Sequence, residues 1–149
     1  MSLSCLDPVL LSEGLRKIRR IHLRNCWLTM LQIWEILDSL YESSNEELNL
    51  SGNDCSDITS SQLLVALNHL RVLNLTAAKV ETDTILQVMS EPKLVQRGRI
   101  VFSSSDFPSK NIQSRLNSVS WIELRREELP YYQDETSCGY VVGEDAIQT

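Results

Sequence analysis

Two histidines and four cysteines are the side chains of this chain best suited to acid–base, nucleophilic or metal chemistry, and their spacing serves none of these. Neither His22 nor His69 has a cysteine or serine nearby in sequence together with an acid to orient it, as a nucleophile–base pair requires. Cys5, Cys26, Cys55 and Cys138 include no C-x-x-C pair, the usual mark of a zinc site or a redox dithiol. Gly52 stands alone and Gly98 reads as a turn, so no glycine-rich loop is available to cradle a phosphate. The expectation is a protein with no catalytic residues, no metal site and no cofactor. Its four thiols are expected to be reduced, in a cytoplasmic setting, rather than to form a disulfide framework.

What the sequence does repeat is a phrase of apolar residues. Ile21-His22-Leu23, Leu48-Asn49-Leu50, Leu73-Asn74-Leu75, Ile100-Val101-Phe102 and Ile122-Glu123-Leu124 mark five registers, spaced by 27, 25, 27 and 22 residues. Three positions past each of the first four comes a small or amide residue, and two further on an apolar one: Cys26 and Leu28, Asn53 and Cys55, Ala78 and Val80, Ser105 and Phe107. Two registers also carry an apolar residue three positions earlier, Ile18 and Leu70, where the alternate registers have Asn45 and Arg97. The underlying unit is therefore a pair of unequal halves, 52 residues long from Leu23 to Leu75 and from Leu50 to Phe102. Self-similarity at 20 to 50 residues signals a stacked solenoid.

Alternation within each phrase predicts a short strand, and the spacers switch to helical periodicity. A helix is expected over about 29–42, with Met30, Ile33, Trp34, Leu37, Leu40 and Tyr41 on one side. Another follows Thr59, with Ser60 and Ser61 as possible caps, carrying Leu63, Leu64, Leu67 and Leu70; a third starts at Thr82-Asp83 and stops before Pro92. Asp7 reads as an N-cap with Pro8 at the first helical position, leading into Val9, Leu10, Leu11 and Leu15. The segment 109–118 predicts a shorter helix anchored by Ile112 and Leu116.

The phrase resembles the leucine-rich repeat, and the Asn-or-Cys alternation with helical spacers is similar to its ribonuclease-inhibitor-like subclass, over about residues 4 to 125. Ala78 and Ser105 depart from the usual Cys or Asn, and the fifth register is short. The paired unit is also similar to the C-terminal sensor arrays of NOD-like receptors. The resemblance implies an α/β horseshoe fragment over residues 1–125, with a parallel sheet on its concave face and helices on its convex face. Residues 126–149 are then an acidic, mostly flexible tail. Cys26 and Asn53 are structural residues in this reading, satisfying backbone groups where the chain bends after each strand.

If alternation buries Ile21 and Leu23, their neighbours must point outward. The expected exposed face comprises Arg20, His22 and Arg24; Glu47, Asn49 and Ser51; Val72, Asn74 and Thr76; Arg99, Val101 and Ser103; and Trp121, Glu123 and Arg125. Such a face suits a protein partner, with aromatic and arginine residues as energetic anchors. The residues singled out for contact are Arg20, His22, Arg24, Asn49, Asn74, Arg99, Trp121, Glu123 and Arg125, with Trp121 beside Arg99 and Arg125 as the hot spot. At Trp121 the alternative is packing beneath the tail or against another repeat; at Trp27, a partner contact and a neighbouring-repeat contact stand side by side. A non-catalytic protein-interaction module follows, and the alternative is a ligand-sensing or autoinhibitory fragment of a NOD-like-receptor-type innate immune protein.

Composition sets the outer bounds. The chain has 149 residues, net charge −6 and no apolar run near membrane-spanning length, and Met1–Leu11 has no basic leader. The sequons at Asn49 and Asn74 fall inside expected strands and are taken as coincidental. Nearly all the net negative charge lies in residues 126–149, a balance of −5 that leaves the rest near neutral, against a basic run of Arg16, Lys17, Arg19, Arg20 and Arg24. That run is either a solvated edge or a docking site for an acidic segment, including this chain's own tail. It is too narrow, on too acidic a chain, to suggest nucleic acid. Oligomeric state is left open.

Overall fold

The protein is described by a computed structural model over residues 2–91, 97–126 and 139–142. Five strands alternate with five helices: α1 (Pro8–Leu15), β1 (Arg20–Arg24), α2 (Met30–Asp38), β2 (Glu47–Asn49), α3 (Ser60–His69), β3 (Val72–Asn74), α4 (Thr82–Met89), β4 (Arg99–Ser103), α5 (Lys110–Asn117) and β5 (Ile122–Arg125). The strands pair in parallel in chain order from β1 to β5. A sixth strand, β6 (Gly139–Val142), runs antiparallel along the outer side of β1. The chain is thus a mixed α/β structure built on a five-stranded parallel sheet that does not close on itself.

The repeated phrase lies in register. Ile21 pairs with Leu48, Leu48 with Leu73, Leu73 with Ile100 and Ile100 with Ile122. Leu23, Leu50, Leu75 and Phe102 are each at most 2% exposed, and all belong to one core cluster with the inner faces of the helices. A run of buried apolar residues on each strand therefore meets a helix on the same side of the sheet. Burial of this kind is the main favourable term in folding.

Local signals start the helices. Asp7 accepts hydrogen bonds from the Val9 and Leu10 amides, with Pro8 at the first position. Thr29 and Gln32 form a reciprocal capping box, as do Thr59 and Gln62. Ser109 caps α5. The stop expected at Pro92 lies outside the described residues.

In α2 the covered stripe holds the expected Ile33 and Leu37, with Leu40 buried just beyond the helix, but it differs at its edges. Gln32, Ile33, Ile36 and Leu37 are buried, whereas Met30 and Tyr41 are exposed and the helix ends at Asp38 before a 3-10 turn at Leu40–Glu42. The Gln32 amide donates to the Leu3 and Leu6 carbonyls at 2.8 Å each, tying the N-terminal segment to α2 and turning that face inward.

Two further corrections concern the loops after the strands. Cys26, Asn53 and Ala78 are buried as expected, but Ser105 is exposed. β4 extends to Ser103 and passes into a 3-10 turn, Ser104–Asp106, so Phe107 rather than residue 105 returns to the core. There it meets Phe102 edge-on, with ring centroids 5.6 Å apart. Cys5 and Cys55 are free thiols, but Cys26 is disulfide-bonded, against the expectation of reduced cysteines throughout.

The paired half-units are written into the backbone as well. Positive φ occurs at Asn25 and Trp27 after β1, and at Ala77 and Lys79 after β3, the same offsets from Leu23 and Leu75. After β2 Gly52 takes the first of these offsets at φ +73°. All three loops share that first bend, and only loops one and three repeat positive φ two residues later.

Candidate functional site

The sheet's other face carries two rows of side chains set by strand pairing. The first runs Arg20, Glu47, Val72, Arg99; the second runs His22, Asn49, Asn74, Val101, Glu123. None of these residues belongs to the core cluster, as alternation requires.

Charge along the first row is largely paired. Arg20 lies 3.6 Å from Glu47, and just before the strands Glu46 bridges Arg19 at 3.2 Å and Arg71 at 3.8 Å. Two members of the basic run therefore face acids of the next strand. At the far end Glu123 accepts from Arg125 at 2.7 Å and from Arg99 at 2.9 Å. Hydrogen bonding and charge from Arg125, followed by Arg99, hold the Glu123 carboxyl below the ordinary carboxylate range, against a smaller opposing effect of burial. One carboxylate between two guanidiniums leaves this corner net positive.

The central asparagines are held rather than loose. Asn49 Oδ1 accepts from the Ser51 amide at 2.9 Å, and Asn74 Oδ1 from the Thr76 amide and hydroxyl at 3.0 and 2.8 Å. These contacts fix the side chains across the middle of the face. The hydroxyl of Ser103 accepts from the Ala77 amide at 3.2 Å, and Ser103 is buried.

Four expectations about this face need correction, and the first is Ser51, which is buried at 6% exposure. Trp121 is only 4% exposed and joins the core cluster, so it does not form an exposed hot spot with Arg99 and Arg125. It precedes β5, which begins at Ile122, and strand alternation does not govern a side chain in the turn. Val101 is fully buried although it lies outside that cluster, and Ser103 is 2% exposed, so β4 presents Arg99 rather than a row of three. The structure does bring Arg99, Glu123 and Arg125 together and sets His22, Asn49 and Asn74 in line, with Arg20 in the neighbouring row and Arg24 exposed at the end of β1.

The exposed apolar surface lies elsewhere. Among the described residues Leu6, Val9, Leu10, Trp27, Met30, Leu31 and Tyr41 are the exposed large hydrophobics, all from the first third of the chain. α1 and α2, which pack against each other, carry Val9, Leu10, Met30 and Leu31 of this set, and Gln32 of α2 ties down the Leu6 carbonyl before α1. Sequence reasoning set Met30 on the apolar side of its helix and ran α1 through Val9 and Leu10, but periodicity shows that a helix has an apolar stripe without showing what covers it.

The histidines are apart, His22 exposed on β1 and His69 at the end of α3. Cys55 is 1% exposed, and desolvation, with the Asp54 charge adding to it, pushes its thiol up to about 12. Such a thiol is not an available nucleophile. No described helix is long and apolar enough to cross a membrane. Compared with models of protein families, with curated proteins and with solved structures, the chain gives no match.

Proposed function

We propose that this chain is a non-catalytic protein-binding module, a leucine-rich-repeat solenoid of the ribonuclease-inhibitor-like kind, with its helices on the convex side and its partner received on the concave sheet face. The observation that carries the reading is the in-register alignment of Arg20, His22, Asn49, Asn74, Arg99 and Glu123 on a face whose reverse is a continuous buried core. Strands position these side chains before any partner arrives, which lowers the ordering cost of association. Arg20, Arg24, Arg99 and Arg125 outnumber Glu47 and Glu123, so the favoured partner surface is acidic. Arginine is suited to it through paired, geometrically specific contacts with carboxylates.

A second reading, a portion of a sensor array of the NOD-like-receptor type, is favoured by the exposed apolar surface of α1 and α2, which is what stacking against a further unit would cover. We read the setting as cytoplasmic on the free thiols of Cys5 and Cys55, with the Cys26 disulfide as the observation that opposes it.

The test compares cross-linked partners in cells of the wild type, a face variant (Arg20→Ala, Arg99→Ala, Arg125→Ala) and a helix-side control (Asp83→Ala, Gln87→Ala). Partners retained by the control and lost by the face variant support the reading. Identical partner sets for all three remove it.

A further inference from the structure

The strand-to-helix connections share a rule, and the first of them breaks it. Four positions past Leu50, Leu75 and Phe102 stand Asp54, Lys79 and Asp106, whereas four past Leu23 stands Trp27. The first two helical residues are Ser60 and Ser61 in α3, Thr82 and Asp83 in α4, and Lys110 and Asn111 in α5, but Met30 and Leu31 in α2. Trp27 and Lys79 both hold positive φ, 57° and 63°, and both are exposed, so one bend sends both side chains outward and only the residue type differs. Places that the later repeats fill with polar residues are filled with Trp, Met and Leu in the first.

The N-terminal segment adds to this surface. The Leu3 amide donates to the Cys26 carbonyl at 2.9 Å, and the Gln32 side-chain amide donates to the Leu3 and Leu6 carbonyls. Leu6 and the start of α1 are thereby set beside Trp27 and the start of α2. Leu6, Val9, Leu10, Trp27, Met30 and Leu31 are 41–67% exposed, and together they leave open on the order of 600 Å². That is the upper end of the ~300–600 Å² that an ordinary monomer leaves as one apolar patch, and most of the ~800 Å² that each side gives to a specific interface. Charge is nearly absent: residues 25–34 contain none, and residues 3–12 only Asp7, whose carboxylate accepts from the Val9 and Leu10 amides.

Two observations point to the occupant. A further repeat would have to pair its strand with the outer side of β1, where β6 already lies, so the cover must meet the helix starts without adding a strand. A two-fold contact sets a patch against itself and so brings every charge on it against a like charge; this patch carries almost none. A charged partner or an anionic lipid surface would find no ion inside it to pair with. We propose that the starts of α1 and α2, with Trp27 as the anchor, are the interface of a two-fold homodimer in which each copy covers the other's patch. This is a different surface from the sheet face, and it stands or falls separately from the face reading.

The experiment uses the full chain with Cys5→Ser, which prevents linkage through that exposed thiol. Sedimentation equilibrium is expected to show the mass rising with concentration from 17.0 kDa toward twice that value, with a midpoint on the order of 10 μM. Over the same range acrylamide quenching of tryptophan fluorescence is expected to lose its readily quenched component, because Trp27 is exposed while Trp34 is half-buried and Trp121 buried. Leu10→Ser, Trp27→Ser and Leu31→Ser together should leave a monomer throughout, whereas Tyr41→Ser, at an exposed site beyond α2, should dimerise as the parent does. A monomer up to about 200 μM overturns the proposal; if Trp27 is also shielded at every concentration, the occupant is a segment of the same chain. A dimer in which Trp27 stays open to the quencher, or one that persists in the triple variant, places the contact elsewhere and overturns it too. The quenching measurement needs no substitution in the patch, so a triple variant that fails to fold leaves the test intact.

Discussion

Asn53 is almost wholly enclosed, yet every polar atom of its side chain is used. Its amide donates to the Leu23 carbonyl at 2.8 Å and the Leu50 carbonyl at 3.1 Å, and its oxygen accepts from the Leu28 amide at 3.1 Å. The groups it serves sit on two successive bends, so Asn53→Ala strands the Leu28 N–H and the Leu23 carbonyl away from water. Orphaned buried groups of this kind cost about 1–3 kcal/mol each. We expect a loss of about 3 kcal/mol in urea unfolding, while Asp54→Ala, at an exposed neighbour, stays within about 0.5 kcal/mol. Asn45 explains itself in the same way: at a place where Ile18 and Leu70 are apolar, its amide donates to the Leu15 and Ile18 carbonyls. The cysteines separate by burial. Iodoacetamide at pH 8 should label native Cys5 and spare Cys55 until the chain unfolds, as read by peptide mass spectrometry, because the Cys55 thiol is held protonated to about 12. The sign for stability follows. The unfolded thiol loses its proton near 9 and the folded one near 12, so the folded state binds more protons between those values and stability falls as pH rises through that window.

At the scale of elements, β3 and β4 approach so closely that a side chain on the chain entering β4 has no room. A Cβ on Gly98 would lie 2.1 Å from the Leu70 carbonyl oxygen and 2.4 Å from that of Arg71, both backbone atoms. Gly98→Ala should therefore cost about 1–3 kcal/mol in thermal unfolding. On the facing row, Arg125→Ala should raise the Glu123 titration midpoint toward the ordinary carboxylate value, measured by side-chain NMR. Whatever stability Glu123 contributes is present above its unfolded value of about 4.5 and is lost as pH falls through the depressed folded one. The strands and helix starts were legible in the sequence because both are local: Ile21-x-Leu23 and its copies, Asp7-Pro8, and the start after Thr59, although its cap is Thr59 itself rather than Ser60 or Ser61. Trp121 was not, since one residue's difference in where β5 begins frees it from alternation. Nor was β6, a four-residue strand between glycines whose pairing lies at the opposite end of the chain. The exposure of Val9, Leu10 and Met30 depends on what stands beside α1, and periodicity carries no record of neighbours.

For the molecule as a whole, the buried row of Leu23, Leu50, Leu75 and Phe102 joins every parallel strand but the last into one cluster, with Ile122 and Trp121 continuing it at β5. Leu75→Ala, in the middle of that row, should cost about 2–5 kcal/mol, and the loss should appear in a single unfolding transition seen equally by tryptophan fluorescence and circular dichroism. Two separate transitions would mean that the two halves of the sheet melt independently. The pairing of β6 with β1 has a further consequence, which belongs to the birth of the molecule. Ribosomes deliver β1 well before β6, so the first strand emerges with its outer flank bare and keeps it bare until β6 has followed. A newly made chain is most exposed to mispairing during that interval, and a ribosome-associated chaperone would find its binding stretch there.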